Sequence, residues 1–151
     1  MTAGSGVADE LARRCVEVMW SEDLASQGLG MRIRSVTAGR AEVEMLIRDE
    51  MTNGHGIAHG GFIFALADSA FAFACNSYNV RAVAQACDIV FAAPASRGDL
   101  LVAAAQERHT FGRNGIYDIT VSCQDKVIAE FRGRSRTIGG NLVDQTPDSS
   151  D

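Results

Sequence analysis

An almost uninterrupted apolar run from Phe62 to Cys75 limits most strongly what this chain can fold into. Of its 14 residues, 12 are apolar, and the exceptions are Asp68 and Ser69 near its centre. A helix that crosses a membrane needs about 20 apolar residues and rarely tolerates a carboxylate at its midpoint. The run therefore predicts a helix that is buried in the core of a soluble protein.

The composition agrees with one ordinary soluble domain. The chain has 151 residues, of which 46% are hydrophobic and 22% are charged. A chain of this length buries enough apolar surface to fold without disulfides or structural metals. We expect a flexible N-terminus over residues 1–8, a single domain over residues 9–140, and a flexible acidic tail over residues 141–151.

The charge pattern and the cysteines exclude several partners. The net charge is −5, and 16 acidic residues face 14 basic ones between Asp9 and Arg136, so no basic surface for nucleic acid is present. The four cysteines form no C-x-x-C pair, and the N-terminus lacks the basic and then apolar pattern of an export signal. We therefore expect a cytoplasmic protein with reduced cysteines that binds neither nucleic acid nor membranes.

Hydrophobic periodicity divides the chain into two helices and six strands. Apolar residues at helical spacing predict an amphipathic helix over residues 9–24, and alternation predicts a half-buried strand over residues 40–48. A glycine-rich loop over residues 49–61 leads into the apolar helix, which should end near residues 76–79. The other strands are predicted over residues 31–36, 83–92, 100–109, 115–124 and 126–138.

The order of these elements predicts an α+β fold. Short links between successive strands make those strands antiparallel, and a helix that is apolar on every side must be covered on every side. A curved antiparallel sheet wrapped around one long central helix covers part of it. A second copy of the same chain covers the rest, so the sequence predicts a homo-oligomer, a dimer or larger.

Two glycines, Gly60 and Gly61, stand where the central helix begins. Backbone N–H groups at a helix N-terminus have no partner within the helix, and they lie at the positive end of its dipole. Glycines leave these groups unshielded, so the position suits an anion or the oxyanion of an attacked carbonyl. The alternative is that the glycines only permit a tight turn.

Asp68 is the second candidate for chemistry. Keeping a carboxylate charged among apolar side chains costs several kcal/mol, so we expect Asp68 to face a polar cavity, a partner or another subunit. Burial should raise its pKa and make it a usable base. The alternative is a structural Asp that bonds a nearby hydroxyl or N–H group.

The distance between these two candidates carries a further prediction. Asp68 follows Gly60 by 8 residues, which corresponds to about 12 Å along a helix that rises 1.5 Å per residue. One small carbonyl can hardly touch both ends of that span in the same chain. If both groups act together, two chains must meet head to tail.

Other catalytic motifs are weak or missing. His55 and His59 are four residues apart, but glycine interrupts the segment, the Glu of a helical zinc motif is missing, and no third ligand is apparent. We therefore predict no metal site and no cofactor. The chain also lacks the G-x-S-x-G motif of serine hydrolases, a P-loop and a dinucleotide-binding fingerprint.

Several blocks of sequence carry a resemblance to a known family. They are residues 53–62 (NGHGIAHGGF), 64–72 (FALADSAFA), 74–77 (ACNS), 115–119 (GIYDI) and 131–140 (FRGRSRTIGG). Over residues 15–140 the chain resembles hotdog-fold acyl-CoA thioesterases of the phenylacetic acid degradation type. The resemblance implies a hotdog fold and hydrolysis of an aryl-acetyl (phenylacetyl or hydroxyphenylacetyl type) coenzyme A thioester to free acid and coenzyme A. It also implies a tetramer of two dimers without metal or cofactor.

The resemblance implies catalytic roles for four residues. Asp68 resembles the catalytic carboxylate, which acts as nucleophile or as base for water. Gly60 resembles the backbone donor that polarises the thioester carbonyl from the opposite subunit. Asn53 and His59 resemble the residues that position the carbonyl and the lytic water.

The resemblance also implies substrate-binding residues, and one of them departs from the family pattern. The expected residues are Gly61, Gln85, Phe111, Gly112, Arg113 and Asn114. The last four form a turn that resembles the segment contacting coenzyme A, where Arg113 would face a phosphate. Relatives often place a Ser or Thr near the start of the strand after the central helix to help hold the water, whereas this sequence offers only Gln85 there.

Two other functions remain open on the same fold. One is a non-catalytic module that binds acyl-CoA or an aryl ligand without releasing free thiol, since a fold does not fix a function. The other is a hotdog dehydratase, which would want a closer pairing of Asp and His. His59 precedes Asp68 by nine residues, so the thioesterase is the preferred hypothesis.

Overall fold

The computed structural model describes residues 3–144, and its elements follow the order expected from the sequence. The helices are α1 (Ala3–Glu22), α2 (Leu24–Gly28) and α3 (Gly60–Cys75), and a 3-10 turn spans Asp49–Met51. The strands are β1 (Arg32–Thr37), β2 (Arg40–Leu46), β3 (Ala82–Phe91), β4 (Leu100–Phe111), β5 (Asn114–Cys123) and β6 (Lys126–Thr137).

The six strands form one sheet in the order β1-β2-β4-β5-β6-β3, and every pair of neighbours is antiparallel. The predicted α+β fold, an antiparallel sheet with one long helix packed against it, is therefore confirmed. The ends of β3 to β6 lie within two residues of the predicted ones, because alternation and turn residues mark them in the sequence.

Helix α3 forms the centre of the core, as its apolar composition predicted. Phe71 is fully buried, and its ring centroid lies 5.6 Å from that of Tyr117 on β5 and 6.1 Å from that of Phe131 on β6. Gly133 on β6 makes room for this ring, since a Cβ at position 133 would lie 2.7 Å from carbons of Phe71. No helix within residues 3–144 has both the length and the apolar content that a membrane crossing requires.

We expect Gly133→Ala to lower the free energy of unfolding by about 1–3 kcal/mol, because the added methyl group overpacks the core around Phe71. Chemical denaturation measures this change. Gly28→Ala is the matched control, since no atom lies within 4 Å of its added Cβ and alanine is a better helix former than glycine. Equal stability of Gly133→Ala and the wild type would contradict this packing.

The N-terminal helix is longer than predicted and is followed by a second, short helix. α1 begins at Ala3, so residues 3–8, which we expected to be flexible, form its first turns. Helix α1 ends just before Asp23. The Asp23 side chain accepts a hydrogen bond from the Ser26 N–H at 2.9 Å and caps α2. The prediction of one helix over residues 9–24 is wrong because the apolar periodicity begins only near Leu11 and does not mark the earlier turns.

Asn79 holds the chain that follows β6. Its Oδ1 accepts hydrogen bonds from the N–H groups of Leu142 at 2.8 Å and Val143 at 2.9 Å, and its Nδ2 donates to the Val143 carbonyl at 2.9 Å. Residues 141–144 of the expected acidic tail are thus tied to the segment after α3. Residues 145–151 lie outside the described part of the chain.

Helix α3 runs antiparallel to the edge strand β3. At one end Phe91 packs against Gly60, and at the other the Asn76 side chain bonds the backbone N–H and carbonyl of Ala82 at 2.9 and 3.1 Å. Although β3 is mostly apolar, Val90 and Phe91 are 65% and 50% exposed. An apolar edge strand offers its backbone groups and side chains to a further strand.

Candidate active site

His59 closes the N-terminus of α3 and leaves one amide free there. The His59 Nδ1 accepts a hydrogen bond from the Gly61 N–H at 2.9 Å, and the His59 N–H donates to the Met51 carbonyl at 2.7 Å. In the described part of the chain the Gly60 N–H has no acceptor. The prediction that both glycine amides are free therefore holds for Gly60 and is wrong for Gly61, whose amide is used by the cap.

Gly60 is needed at the first position of α3 for a steric reason. A Cβ at this position would lie 2.9 Å from Cζ of Phe91 on β3. The missing side chain therefore lets the end of β3 approach the start of α3. The same absence leaves the Gly60 amide unshielded at the positive end of the helix dipole.

The loop before α3 is a short, ordered hairpin. Thr52 pairs with Ala58, the Asn53 N–H donates to the Ile57 carbonyl at 2.8 Å, and the Gly56 N–H donates to the Asn53 carbonyl at 3.0 Å. The φ of Gly56 is +76°, which glycine adopts without strain. These bonds fix the position of Asn53 relative to the start of α3.

The Asn53 side chain uses its amide oxygen in a hydrogen bond and leaves its amide nitrogen without a partner among the described residues. Its Oδ1 accepts a hydrogen bond from the His55 N–H at 2.9 Å, which leaves Nδ2 as the other polar group of the side chain. Within the described residues no acceptor binds this Nδ2. Asn53 therefore offers an amide donor, the type of group that the predicted role in positioning a carbonyl requires.

Asp68 lies in the middle of α3 and is half-buried. Burial raises the pKa of its carboxyl above the ordinary value, and the negative charge of Asp23 raises it further. No hydrogen-bond donor binds this carboxylate within residues 3–144, so the alternative of a structural Asp bonded to a neighbouring hydroxyl or N–H has no support there. The predicted rise of the Asp68 pKa is confirmed.

Gly60 and Asp68 stay apart in one chain. Both belong to the continuous helix α3, so they are separated by about 12 Å along its axis. The helix neither breaks nor bends back between them. One chain therefore presents an amide donor and a carboxylate that cannot reach the same carbonyl.

Gln85 occupies an irregular position on β3. Ala84 pairs with Ser135 and Ala86 pairs with Arg134, so Gln85 is the extra residue of a bulge. A bulge turns a side chain out of the regular alternation, and Gln85 is exposed. Its predicted contact with substrate or water remains a prediction.

The turn between β4 and β5 lies at the far end of α3 from Gly60. Gly112, Arg113 and Asn114 line a cavity of about 310 Å³ whose wall also includes Cys75, the last residue of α3. Phe111 is exposed, and its ring stacks on that of His109 with centroids 5.8 Å apart. In one chain this turn does not join Asp68, and its predicted binding of coenzyme A remains untested.

The absence of a metal site at His55 and His59 stays a prediction. Across residues 3–144 no three His, Cys, Asp or Glu side chains lie together as they would around a metal ion.

Two features of the site were not predicted from the sequence. His59 uses Nδ1 to cap α3, which sequence reasoning missed because histidine is not a usual capping residue. Nothing in the sequence indicated that Asp23 lies near Asp68, since a capping residue marks only its own helix.

A six-stranded antiparallel sheet packed against one long central helix is the architecture of a hotdog-fold protein. Residues 55–130 match the family described as Thioesterase superfamily. The chain belongs to this superfamily.

The relatives specify the kind of thioesterase that the chain resembles. It is 47% identical over 126 residues to the acyl-coenzyme A thioesterase PaaI of Escherichia coli (strain K12), a match that spans 83% of this chain and 90% of PaaI. The solved structure of E. coli PaaI, from the phenylacetic acid degradation operon, has a TM-score of 0.86 at 44% identity and covers 88% of this chain and 97% of that one.

Two further solved structures are similar at lower identity. The phenylacetic acid degradation protein PaaI from Thermus thermophilus, in a mutant form, has a TM-score of 0.73 at 34% identity and covers 75% of this chain and 97% of that one. A Streptococcus mutans protein bound to acetyl-CoA has a TM-score of 0.70 at 26% identity, with coverage of 74% and 90%. The predicted resemblance to hotdog thioesterases of the phenylacetic acid degradation type is confirmed.

Proposed function

We propose that this chain hydrolyses acyl-coenzyme A thioesters at a site built by two copies, with Gly60 from one and Asp68 from the other. The observation that carries this proposal is the pair of unpartnered groups on α3. The Gly60 amide has no acceptor in the described residues, and Asp68 is a half-buried carboxylate without a donor there. Since they are about 12 Å apart along one helix, antiparallel helices from two copies bring them together.

The chemistry follows from the nature of the two groups. The Gly60 N–H, backed by the helix dipole, would polarise the thioester carbonyl and stabilise the oxyanion that forms on attack. Asp68 either attacks the carbonyl carbon, giving an acyl-aspartyl anhydride that water then cleaves, or takes a proton from the water that attacks. In both routes the C–S bond breaks and the thiolate of coenzyme A leaves. In the base route water supplies the new oxygen of the free acid, whereas in the anhydride route water attacks the Asp68 carboxyl carbon and the acid keeps an oxygen from Asp68. A single turnover in labelled water separates the routes, because only the first places the label in Asp68.

Asn53 and His59 are proposed to complete the donor side of the site. Both belong to the hairpin and cap at the start of α3, next to the Gly60 amide. Asn53 offers its free Nδ2 to the carbonyl, and His59 holds the end of α3 and faces the lytic water. Gly61 supports this arrangement through the cap rather than by donating its own amide to the substrate.

The assembly that this site requires is supported by the exposed edge of the sheet. Val90 and Phe91 on β3 are at least half exposed. On the neighbouring helix α3, Phe62, Phe64 and Ala72 are only partly buried. Pairing of β3 with β3 of a second copy would bury these side chains and set the two α3 helices antiparallel. We propose this dimer, and a tetramer of two dimers as the complete assembly.

The acyl group is proposed to be aryl-acetyl, of the phenylacetyl or hydroxyphenylacetyl type. The name of the E. coli relative and the titles of the two PaaI structures support this proposal, and the acetyl-CoA in the S. mutans relative supports a coenzyme A thioester. Small side chains that are not fully buried on α3 and β3 are proposed to leave room for a ring: Ala72, Ala82, Ala84 and Ala86. Ala70 and Ala74 lie in the core instead. All four cysteines, which lie within the described residues, are free thiols, as we propose for a cytoplasmic enzyme.

A thiol-release assay over several coenzyme A thioesters tests this function. We expect kcat/KM for phenylacetyl-CoA and hydroxyphenylacetyl-CoA to exceed that for acetyl-CoA by about tenfold or more, since a pocket that holds a ring gains binding energy from its extra apolar groups. A preference for straight-chain acyl groups would contradict the aryl-acetyl assignment. Binding of every thioester without release of thiol would identify the non-catalytic module instead.

A further inference from the structure

A chain of hydrogen bonds links the junction of α1 and α2 to the turn of α3 that carries Asp68. Asp23 accepts from the Ser26 N–H through Oδ1 at 2.9 Å and bonds the Ser26 hydroxyl through Oδ2 at 2.6 Å. The Ser26 Oγ lies 2.8 Å from the Ser69 Oγ. Ser26 is buried with 1% exposure, and Ser69 directly follows Asp68. This chain of hydrogen bonds therefore runs from Asp23 through Ser26 to Ser69.

The direction of the bonds in this chain follows from the proton inventory. An ionised carboxylate only accepts, and a hydroxyl donates a single proton. The Ser26 hydroxyl must give its proton to Asp23, so it accepts from the Ser69 hydroxyl. Ser69 therefore donates to Ser26 and not to Asp68, and this bond ties the turn of α3 that carries Asp68 to α2.

Capping of α2 does not by itself account for this arrangement. An N-cap residue needs only one side-chain oxygen for the backbone N–H it satisfies, and Oδ1 of Asp23 performs this role. The second oxygen extends the contact through a buried hydroxyl into another helix. The result is a carboxylate that is tied through two hydroxyl groups to the residue that follows Asp68 on α3.

We propose that Asp23 is a positioning residue for Asp68, acting through Ser26 and Ser69 to fix this turn of α3 and to hold a second negative charge near the reactive carboxylate. This inference rests on the proposed function, in which Asp68 is the catalytic group. Asp23 itself does not touch the substrate.

The electrostatic setting of Asp68 agrees with this role. Besides burial, the charge of Asp23 is what raises the Asp68 pKa. The other titratable groups that interact with Asp68 are the thiols of Cys75 on α3 and Cys87 on β3, whose own pKa values are raised in part by Asp68. In the proposed assembly His59 of a second copy faces Asp68 as well. Asp23 is thus the group within the chain whose charge makes Asp68 more basic.

Direct titration of the Asp68 carboxyl carbon by NMR tests the inference in the intact protein, with Asp68→Asn used to assign the signal. We expect Asp23→Asn to lower the Asp68 pKa, since asparagine keeps Oδ1 for the cap of α2 but removes both the charge and the acceptor of the Ser26 hydroxyl. Glu22→Gln is the matched control, because it removes an equal charge from the neighbouring exposed position and should leave the titration in place. An unchanged Asp68 titration in Asp23→Asn, or an equal shift in Glu22→Gln, would overturn the inference.

Steady-state kinetics test whether the Ser69 hydroxyl positions Asp68. Ser69→Ala breaks the chain but keeps the Asp23 charge, so kcat should fall about threefold to tenfold, the effect of one hydrogen bond, without a change in KM. Ser69→Thr keeps the hydroxyl and should restore kcat. Loss of activity in both variants, or in neither, would contradict positioning by the hydroxyl. The NMR titration does not depend on turnover, so it still judges the role of Asp23 if the wild type hydrolyses no thioester, a result that would reject only the proposed function.

Discussion

Replacing Gly60 with proline should lower kcat about 10²–10³-fold, the usual loss when one oxyanion-hole donor is removed. Proline lacks the backbone N–H, which is the group we assign to the thioester carbonyl. The first position of a helix is where proline is tolerated best. His59 before it has φ −64° and ψ 132°, an extended conformation that is compatible with a following proline. The variant should therefore fold while it loses the donor.

Gly60→Ala is the control that separates the donor from the side chain. Both variants place a Cβ within 2.9 Å of Phe91 Cζ, but alanine keeps the amide. Phe91 is half exposed and can turn aside, so Gly60→Ala should lose much less activity than Gly60→Pro. Equal turnover by the two variants in steady-state assays would show that the Gly60 amide is not the carbonyl donor.

Asp68→Asn should lower kcat about 10²-fold or more, because it removes the base or nucleophile while keeping the shape of the side chain. In the wild type, activity should fall as the pH decreases through the Asp68 pKa. This acid limb lies above the ordinary Asp value of about 3.9, because burial and the Asp23 charge raise the pKa. Near wild-type hydrolysis by Asp68→Asn would reject Asp68 as the catalytic group.

The same variant should be more stable than the wild type at neutral pH. A carboxyl whose pKa is raised in the folded state is ionised at a cost to folding. This cost is absent below the unfolded-state pKa and is fully present once the pH exceeds the folded-state pKa. We therefore expect a higher Tm for Asp68→Asn at about pH 7, and no difference near pH 3, where both side chains are neutral. A lower Tm at neutral pH would show that the carboxylate stabilises the fold.

Co-expression of the two inactive variants tests the shared site directly. In a mixed dimer of Gly60→Pro and Asp68→Asn chains, one site carries both defects and the other carries neither. Random pairing should therefore restore about a quarter of wild-type activity, as the symmetry of a two-fold dimer dictates. A site contained within one chain would give no recovery.

The sheet was predicted well because two independent sequence signals, alternation and turn residues, identify its strands. Alternation sets which face of β5 or β6 is buried, and turn residues such as Gly112 set where a strand ends. The N-terminal helix was predicted less well, since the exposed turns near Ala3 carry no apolar periodicity.

The candidate site shows the same division. Asp68 and Gly60 stand out in the sequence because each breaks a local rule, a charge in an apolar helix and a missing side chain at a helix start. The cap formed by His59 and the link from Asp23 to Ser69 depend on contacts across the fold. Residues that obey local rules give no signal of such contacts.

The cap at the start of α3 has a consequence for the tautomer of His59. Because Nδ1 accepts the Gly61 N–H, the neutral ring must carry its proton on Nε2. The loop and helix start therefore present three donors, the Nε2–H of His59, the Nδ2–H of Asn53 and the N–H of Gly60. Asp68 supplies only acceptors. In the proposed two-copy site, one copy would therefore supply only hydrogen-bond donors to the carbonyl and the lytic water, and the other copy would supply the acceptor.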